Sequence, residues 1–123
     1  MNRIIKNTIF KLFVIVVAFT VYSASAEDAP VAEPDHYTVV FENDRVRVLR
    51  ANYQPGEKSS MHTHKAGLVI IPTGSHELFT FPDGNTVEIV NEPNAVVWSE
   101  AIEHTAEMLG PNPVEAFVVE LKD

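Results

Sequence analysis

Two histidines separated by one residue are the part of this chain best suited to do chemistry. His62 and His64 stand in the stretch PGEKSSMHTHKAGLVIIPTG (residues 55–74), at the entry to an apolar run. Residues i and i+2 of a β-strand point to the same face, so both imidazoles would look into one space. Neutral imidazoles bind Zn, Fe, Ni and Cu, and an open metal site needs about three protein ligands. The pair therefore predicts most of a divalent metal site.

The third ligand is expected to be His104. It stands in SEAIEHTAEM (residues 99–108), just after the apolar run AVVW, in a second strand-like segment that could lie across a barrel from the first. His76, two residues past Gly74, is open to two interpretations, a surface histidine or an extra ligand. His36 is assigned to an N-terminal leader and not to the site.

The spacing of these residues resembles that of the cupin family. The first cupin motif is a glycine, five residues, His-x-His, three or four residues, a glutamate, about six residues and a glycine. Gly56, His62, His64 and Gly74 match it, and His104 matches the histidine of the second motif. The resemblance implies a three-histidine metal site in a jelly-roll barrel.

The glutamate of the first motif is missing. The motif places it at Gly67 or Leu68, and neither residue can bind a metal. The second motif is also altered, with Ser99, Ala101 and Met108 in place of its proline, glycine and asparagine. A replacement ligand therefore stays open among Glu77, Glu103, Glu107 and His76.

The first 26 residues are predicted to be a cleaved secretory signal peptide. Arg3, Lys6 and Lys11 precede and flank the apolar run LFVIVVAFTVY, and a small-x-small sequence ends at Ala26. The purely apolar core is shorter than the roughly 20 residues of a bilayer span, which argues against an uncleaved anchor. We expect a periplasmic or secreted protein that begins at Glu27 and has no stable membrane insertion after cleavage.

Size and charge limit the partners. Removal of residues 1–26 from the 123 leaves 97 residues, enough for one small domain. The signal holds three of the nine basic residues and none of the seventeen acidic ones, so the remaining net charge is −11. Such a surface repels nucleic acids and anionic membranes. Because the chain has no cysteine, imidazole, carboxylate or main-chain groups must hold any metal.

The chain after the signal divides into a leader and an all-β domain. Residues 27–36 (EDAPVAEPDH) are acidic, contain two prolines and lack periodicity, so we expect a mobile leader. Residues 37–123 hold eight short β-branched or aromatic segments separated by turn residues, a pattern typical of antiparallel strands. With the resemblance, the pattern predicts a single cupin-type jelly-roll barrel of about eight strands.

The apolar patterns of two predicted strands indicate a bulge and a dimer surface. In residues 45–53 the apolar positions shift from Val46 and Val48 to Leu49, which predicts a bulge near Val48 or Leu49. The last strand is apolar on both faces, and a barrel can bury only one of them. We therefore expect a homodimer that covers the surface containing either Phe117 or Val118.

The sequence is consistent with three functions. The first is a secreted enzyme acting on a small molecule with a bound Zn, Fe, Ni or Cu, and the resemblance points to a dioxygenase-like oxidoreductase. The second is a non-catalytic module that binds a metal or a small ligand. The third is a barrel with an empty site that serves in assembly. Cupin barrels host many reactions, so the fold does not name the substrate.

Overall fold

The structure, a computed structural model, describes residues 25–123. Residues 1–24, which hold most of the predicted signal peptide, lie outside the described residues. No helix between residues 25 and 123 is long and apolar enough to cross a bilayer. The elements are α1 (Ala29–Ala32), β1 (Tyr37–Glu42), β2 (Val46–Tyr53), β3 (His62–His64), β4 (Gly67–Ile71), β5 (Ser75–Thr80), β6 (Thr86–Asn91), β7 (Ala95–Ser99), β8 (Ile102–Met108) and β9 (Val114–Leu121).

The strands form two antiparallel sheets. The larger sheet has the order β1-β2-β9-β4-β7, and the smaller has the order β3-β8-β5-β6. Residues from both sheets line one central cavity. The predicted all-β, antiparallel barrel is thus confirmed, and each of the eight apolar segments corresponds to one strand. The additional strand, β3, is the His-x-His sequence itself.

Strand β9 lies at the centre of the larger sheet and supplies much of the core. Val114, Ala116 and Val118 are buried on its inner face, and Glu120 occupies the next inward position. Phe117 points to the outer face and is half-buried. Full burial of a valine side chain contributes about 1.5–3 kcal/mol to folding, so the inner face of β9 stabilises the barrel. The outer face of β9 does not pack inside the barrel.

A bulge lies opposite Val48 and Leu49, where one was predicted, but the neighbouring strand and not β2 carries the extra residue. Every second residue of β2 from Leu49 to Tyr53 is buried, and β2 keeps an unbroken register with β9. The irregularity lies instead in β1, where Val40 is the extra residue between Val39 and Phe41. The apolar residues of β2 change face because Val46 and Val48 belong to the half-buried outer surface of the sheet.

Residues 27–36, expected to be a mobile leader, carry ordered contacts in this structure. Ala29, in α1, is fully buried. The ring of His36 stacks on Tyr53 with 4.1 Å between centroids. The same ring bonds to Glu33 at 2.9 Å through Nδ1 and to Glu57 through Nε2. Polar residues of this segment therefore form specific contacts with each other and with the barrel.

Candidate metal centre

The imidazoles of His62, His64 and His104 converge at one place on the smaller sheet. Strands β3 and β8 pair with His62 directly opposite His104. His64 lies two residues further along β3 and so shares the face of His62. One nitrogen of each ring lies within 4.8 Å of one nitrogen of each other ring. Metal–nitrogen bonds are about 2.0–2.1 Å long, so a small adjustment of the side chains would bring all three to one ion.

The nitrogen atoms of these rings are poorly supplied with hydrogen-bond partners. Nδ1–H of His62 donates to the carbonyl oxygen of Ser60 at 2.8 Å, which leaves Nε2 with a free lone pair. Within residues 25–123, Nε2 of His62, Nδ1 of His64 and both nitrogens of His104 find no partner. An unpartnered buried polar atom costs about 1–3 kcal/mol. In a neutral imidazole one nitrogen carries the proton and the other has the lone pair, so each ring can offer one donor. Three such donors fit a divalent metal ion.

Burial also keeps two of the rings uncharged at neutral pH. Removal from water lowers the pKa of His62 to about 4, against the smaller opposing effect of its bond to Ser60. Burial likewise lowers the pKa of His104 to about 3, and the neighbouring His62 and His64 add to this shift. Only a neutral imidazole offers a lone pair to a metal, so both residues are ready to act as ligands at pH 7.

His64 has a buried carboxylate beside it. Oε2 of Glu120 lies 3.5 Å from Nδ1 of His64 and accepts the backbone N–H of Lys65 at 3.0 Å. Oε1 of Glu120 accepts Nε–H of Arg47 at 2.8 Å. The Glu120 side chain is only 1% exposed. Metal-bound histidines commonly direct their second nitrogen at a carboxylate, which fixes the orientation of the ring. Glu120 occupies this position beside Nδ1 of His64.

The sequence reasoning missed Glu120. Its signal was nevertheless present, because Val114, Ala116 and Val118 define the inward positions of β9 and Glu120 is the next member of that series. A charged residue at an inward position of a strand is unusual unless a partner compensates its charge.

A cavity of about 420 Å³ lies between the sheets and reaches the histidines. His64 and His104 line it, together with Tyr37 and Glu77. Ligand pockets of about 300–1,000 Å³ accommodate drug-sized molecules, so the volume suits a small compound. Most of the remaining wall is apolar and includes Val69, Ile71, Phe79, Phe81, Trp98 and Val118.

Comparison with solved structures identifies the architecture. A cupin domain from Bordetella pertussis Tohama I is similar, with a TM-score of 0.64 and 24% identity, over 71% of this chain and 92% of that chain. The chain has the cupin fold. No protein-family model matches the sequence, and no curated protein matches it.

Two enzymes are also among the similar structures. A DMSP lyase from Ruegeria pomeroyi DSS-3 has a TM-score of 0.52 and 18% identity, over 74% of this chain and 49% of that chain. A polyketide cyclase from Streptomyces resistomycificus has a TM-score of 0.51 and 17% identity, over 71% of this chain and 64% of that chain. At these identities the likeness concerns the cupin fold alone.

The fold excludes a metal ligand at the two positions where the first motif would place its glutamate. A Cβ atom placed on Gly67 would lie 1.9 Å from the carbonyl oxygen of Val119, so no side chain fits there. Leu68, which a spacing of three residues from His64 reaches, is 41% exposed on the outer face of the larger sheet. A side chain at 68 therefore points away from the histidines, so neither 67 nor 68 can offer a ligand to this site. A spacing of four residues reaches Val69, an apolar residue that lines the cavity.

The residues considered as replacement ligands also stand apart from the three histidines. Glu77 lines the cavity and accepts a hydrogen bond from the Ser75 hydroxyl at 2.7 Å; burial raises its pKa, and that bond opposes the shift. Glu103 and Glu107 alternate with His104 on β8 and so face the other way. Nε2 of His76 contacts the carboxylate of Glu88 across β5 and β6. In residues 25–123, the group that could hold a metal consists of His62, His64 and His104.

Proposed function

We propose that this protein is a metal-dependent cupin that binds one divalent ion through His62, His64 and His104 and acts on a small molecule. The observation that carries the proposal is the set of buried imidazole nitrogens without hydrogen-bond partners in residues 25–123. One nitrogen of each ring lies within 4.8 Å of one nitrogen of the other two, so one lone pair from each ring can be directed at a common ion. The two sheets and their hydrophobic core hold the barrel together, so the proposed role of the ion is chemistry or binding.

The donor set determines which ions suit the site. An ion held by three neutral imidazoles keeps its full 2+ charge and would supply a strong Lewis acid or, as Fe(II), Cu or Ni, a redox centre. With no carboxylate ligand, selectivity should follow intrinsic affinity and favour Zn, Cu or Ni over Mn. Three protein ligands also leave coordination positions for a substrate.

The cavity restricts the class of substrate. Its wall is mainly apolar, with the polar groups of Tyr37, Glu77, His64 and His104 among the exceptions. A fitting molecule has an apolar body and an oxygen or sulfur group that reaches the metal. Within the proposal, we favour dioxygenase-like oxidation of a small diketone, diol or thiol. The DMSP lyase and the polyketide cyclase support small-molecule chemistry on this fold.

Metal analysis followed by turnover assays tests the proposal. Untagged protein recovered from the periplasm or medium is expected to contain about one divalent ion per chain. Oxygen uptake is then measured with small diketones, diols and thiols, and parallel anaerobic reactions detect non-redox turnover. His104→Ala should lose both the metal and the turnover. A wild-type protein that binds no Zn²⁺, Ni²⁺, Cu²⁺ or Fe²⁺ would overturn the proposal.

A non-catalytic binding module is the second candidate. The observation that favours it is the steric closure of position 67, because no carboxylate ligand can stand there. This candidate predicts stoichiometric metal binding and a ligand that raises the melting temperature, without product formation. The same turnover assays distinguish it from an enzyme.

A further inference from the structure

Residues 27–33, here called the N-terminal strap, run along the strand that carries His62 and His64. The backbone N–H of Thr63 donates to the carbonyl oxygen of Glu27 at 3.0 Å, and Asp28 forms a parallel β-bridge with Thr63. Thr63 is the residue between the two histidines. Because β3 has only three residues, these contacts form a large part of what holds it in place.

The strap is also fastened at the residues before β3. The carboxylate of Glu33 accepts the backbone N–H of Ser60. Ser60 is the residue whose carbonyl oxygen accepts Nδ1–H of His62. The strap therefore contacts the main chain on both sides of His62.

A chain of charged groups leads from the strap to His64. Both oxygens of Asp28 accept hydrogen bonds from Arg47, at 2.6 Å and 2.7 Å. Arg47, whose side chain is 18% exposed, bonds in turn to Glu120. Glu120 lies against Nδ1 of His64, as described above. All four side chains are thus joined by successive polar contacts.

The geometry of Arg47 explains why Asp28 matters to this chain. A guanidinium group held by two carboxylates has a fixed plane, and paired bonds to a carboxylate add orientation as well as energy. Replacing Asp28 by asparagine removes its charge and leaves one acceptor oxygen in place of two, so Arg47 is held mainly by Glu120 and both side chains gain freedom. A carboxylate that orients a metal-bound histidine loses that role when its own position is no longer fixed.

We propose that Asp28 is a positioning residue for the metal centre, acting through Arg47 and Glu120 on His64, so that the N-terminal strap is part of the site. The inference rests on the proposed function, because it concerns the metal that His64 would bind. It assigns to the strap a role that a solvated leader would not have.

Metal affinity in substituted full-length proteins tests the proposal. Binding of Zn²⁺ is measured by competition with a chromophoric chelator, and melting of the metal-free proteins checks that each is folded. Glu120→Gln should weaken Zn²⁺ binding by roughly 10- to 100-fold. Asp28→Asn should weaken it by roughly threefold or more, and the double variant should bind like Glu120→Gln alone, since residues of one network are not additive.

The chain offers a matched control for charge. Arg50 and Glu115 form an exposed ion pair between the same two strands, β2 and β9, away from the histidines. Glu115→Gln removes the same charge and should leave Zn²⁺ affinity unchanged. The ligand-field absorption of the Co²⁺-loaded protein supplies a second readout, because a displaced His64 alters the metal geometry. Asp28→Asn should change this spectrum, and Asp28→Glu should restore it in part.

The outcomes separate this inference from the proposed function. Wild-type affinity and an unaltered Co²⁺ spectrum in folded Asp28→Asn would overturn the role of the strap and leave the metal site intact. Equal losses in Asp28→Asn and Glu115→Gln would also overturn it, since the effect would then be one of overall charge. Absence of metal binding in the wild-type protein would overturn both proposals. If Asp28→Asn does not fold, the Zn²⁺ affinity and the Co²⁺ spectrum of Arg47→Lys are measured instead. Wild-type values for both would overturn the role of the strap.

Discussion

His62 and His104 are direct partners in the antiparallel pairing of β3 with β8, and their ring centroids lie 4.8 Å apart. Side chains directly opposite each other on one face of a sheet have Cβ atoms about 4.5–5.5 Å apart. The pairing of β3 with β8 therefore places two of the three candidate metal ligands next to each other. His64 lies on the same face as His62 because side chains alternate along β3.

Replacing His62 or His104 by alanine should abolish stoichiometric metal binding and leave the barrel folded. Each substitution removes one of three donors, while the two sheets that form the core remain. Metal content by mass spectrometry and circular dichroism of the same samples check both parts. His76→Ala, which removes an exposed histidine outside the site, is the control and should bind metal as the wild type does.

The contribution of His36 to stability should decrease as pH rises. Burial lowers its pKa, but its bonds to Glu57 and Glu33 outweigh that effect, and the net shift is upward from 6.5. A histidine whose pKa is higher in the folded state contributes stability that is complete below about pH 6.5 and is lost as pH rises through the folded pKa. His36→Gln should therefore destabilise the protein more at pH 6 than at pH 8, as measured by urea denaturation. An equal loss at both values would contradict the assignment.

Position 67 should tolerate no side chain. Gly67→Ala places a methyl group against the backbone of β9 and should lower the free energy of unfolding by about 3 kcal/mol, toward the upper end of typical overpacking costs. Leu68→Glu, on the outer surface, should leave metal affinity unchanged. Denaturant titration measures the first effect and calorimetry the second. Tighter metal binding by Leu68→Glu would show that this side chain does reach the site.

The outer face of the larger sheet is expected to form a homodimer. Phe117 lies on this face, whereas Val118 lines the internal cavity, so only the first of the two predicted surfaces is available. Leu68, on the same outer face, is 41% exposed. Light scattering at micromolar concentration should give the dimer mass, and Phe117→Glu should give the monomer mass. Val90→Glu, on the other sheet, is the control and should remain dimeric.

Export and processing are expected to produce a chain that begins at Glu27. The prediction follows from the basic start, the apolar run and the small-x-small sequence that ends at Ala26. Intact-mass measurement of protein recovered from the periplasm or medium checks it. A mass that includes residues 1–26 would indicate a retained anchor.

The architecture and the three histidines could be predicted because both depend on local patterns. Alternating apolar residues and turn residues mark strands, and His-x-His shares a face in any strand. The direct opposition of His62 and His104 could not be predicted, because it depends on how β3 and β8 align. Glu120 is 56 positions from His64 in sequence, and only the sheet brings them together.

The contacts of the strap were missed for a related reason. Residues such as Asp28 and Glu33 look solvated in a sequence with many acidic residues, since composition says nothing about which of them meets a cation. Arg47 and the backbone N–H of Ser60 supply those partners from distant positions. The bulge was misplaced because Val46 and Val48 are apolar on an outer surface.

The closeness of Val119 to Gly67 also restricts how this ligand set can change by mutation. A codon change that puts glutamate at 67 requires movement of the β9 backbone, because a Cβ atom there would meet the carbonyl oxygen of Val119. A carboxylate ligand would have to come from another cavity-lining position. The mutational path from three histidines to a ligand set with a carboxylate is therefore closed at position 67 and has to pass through a different residue.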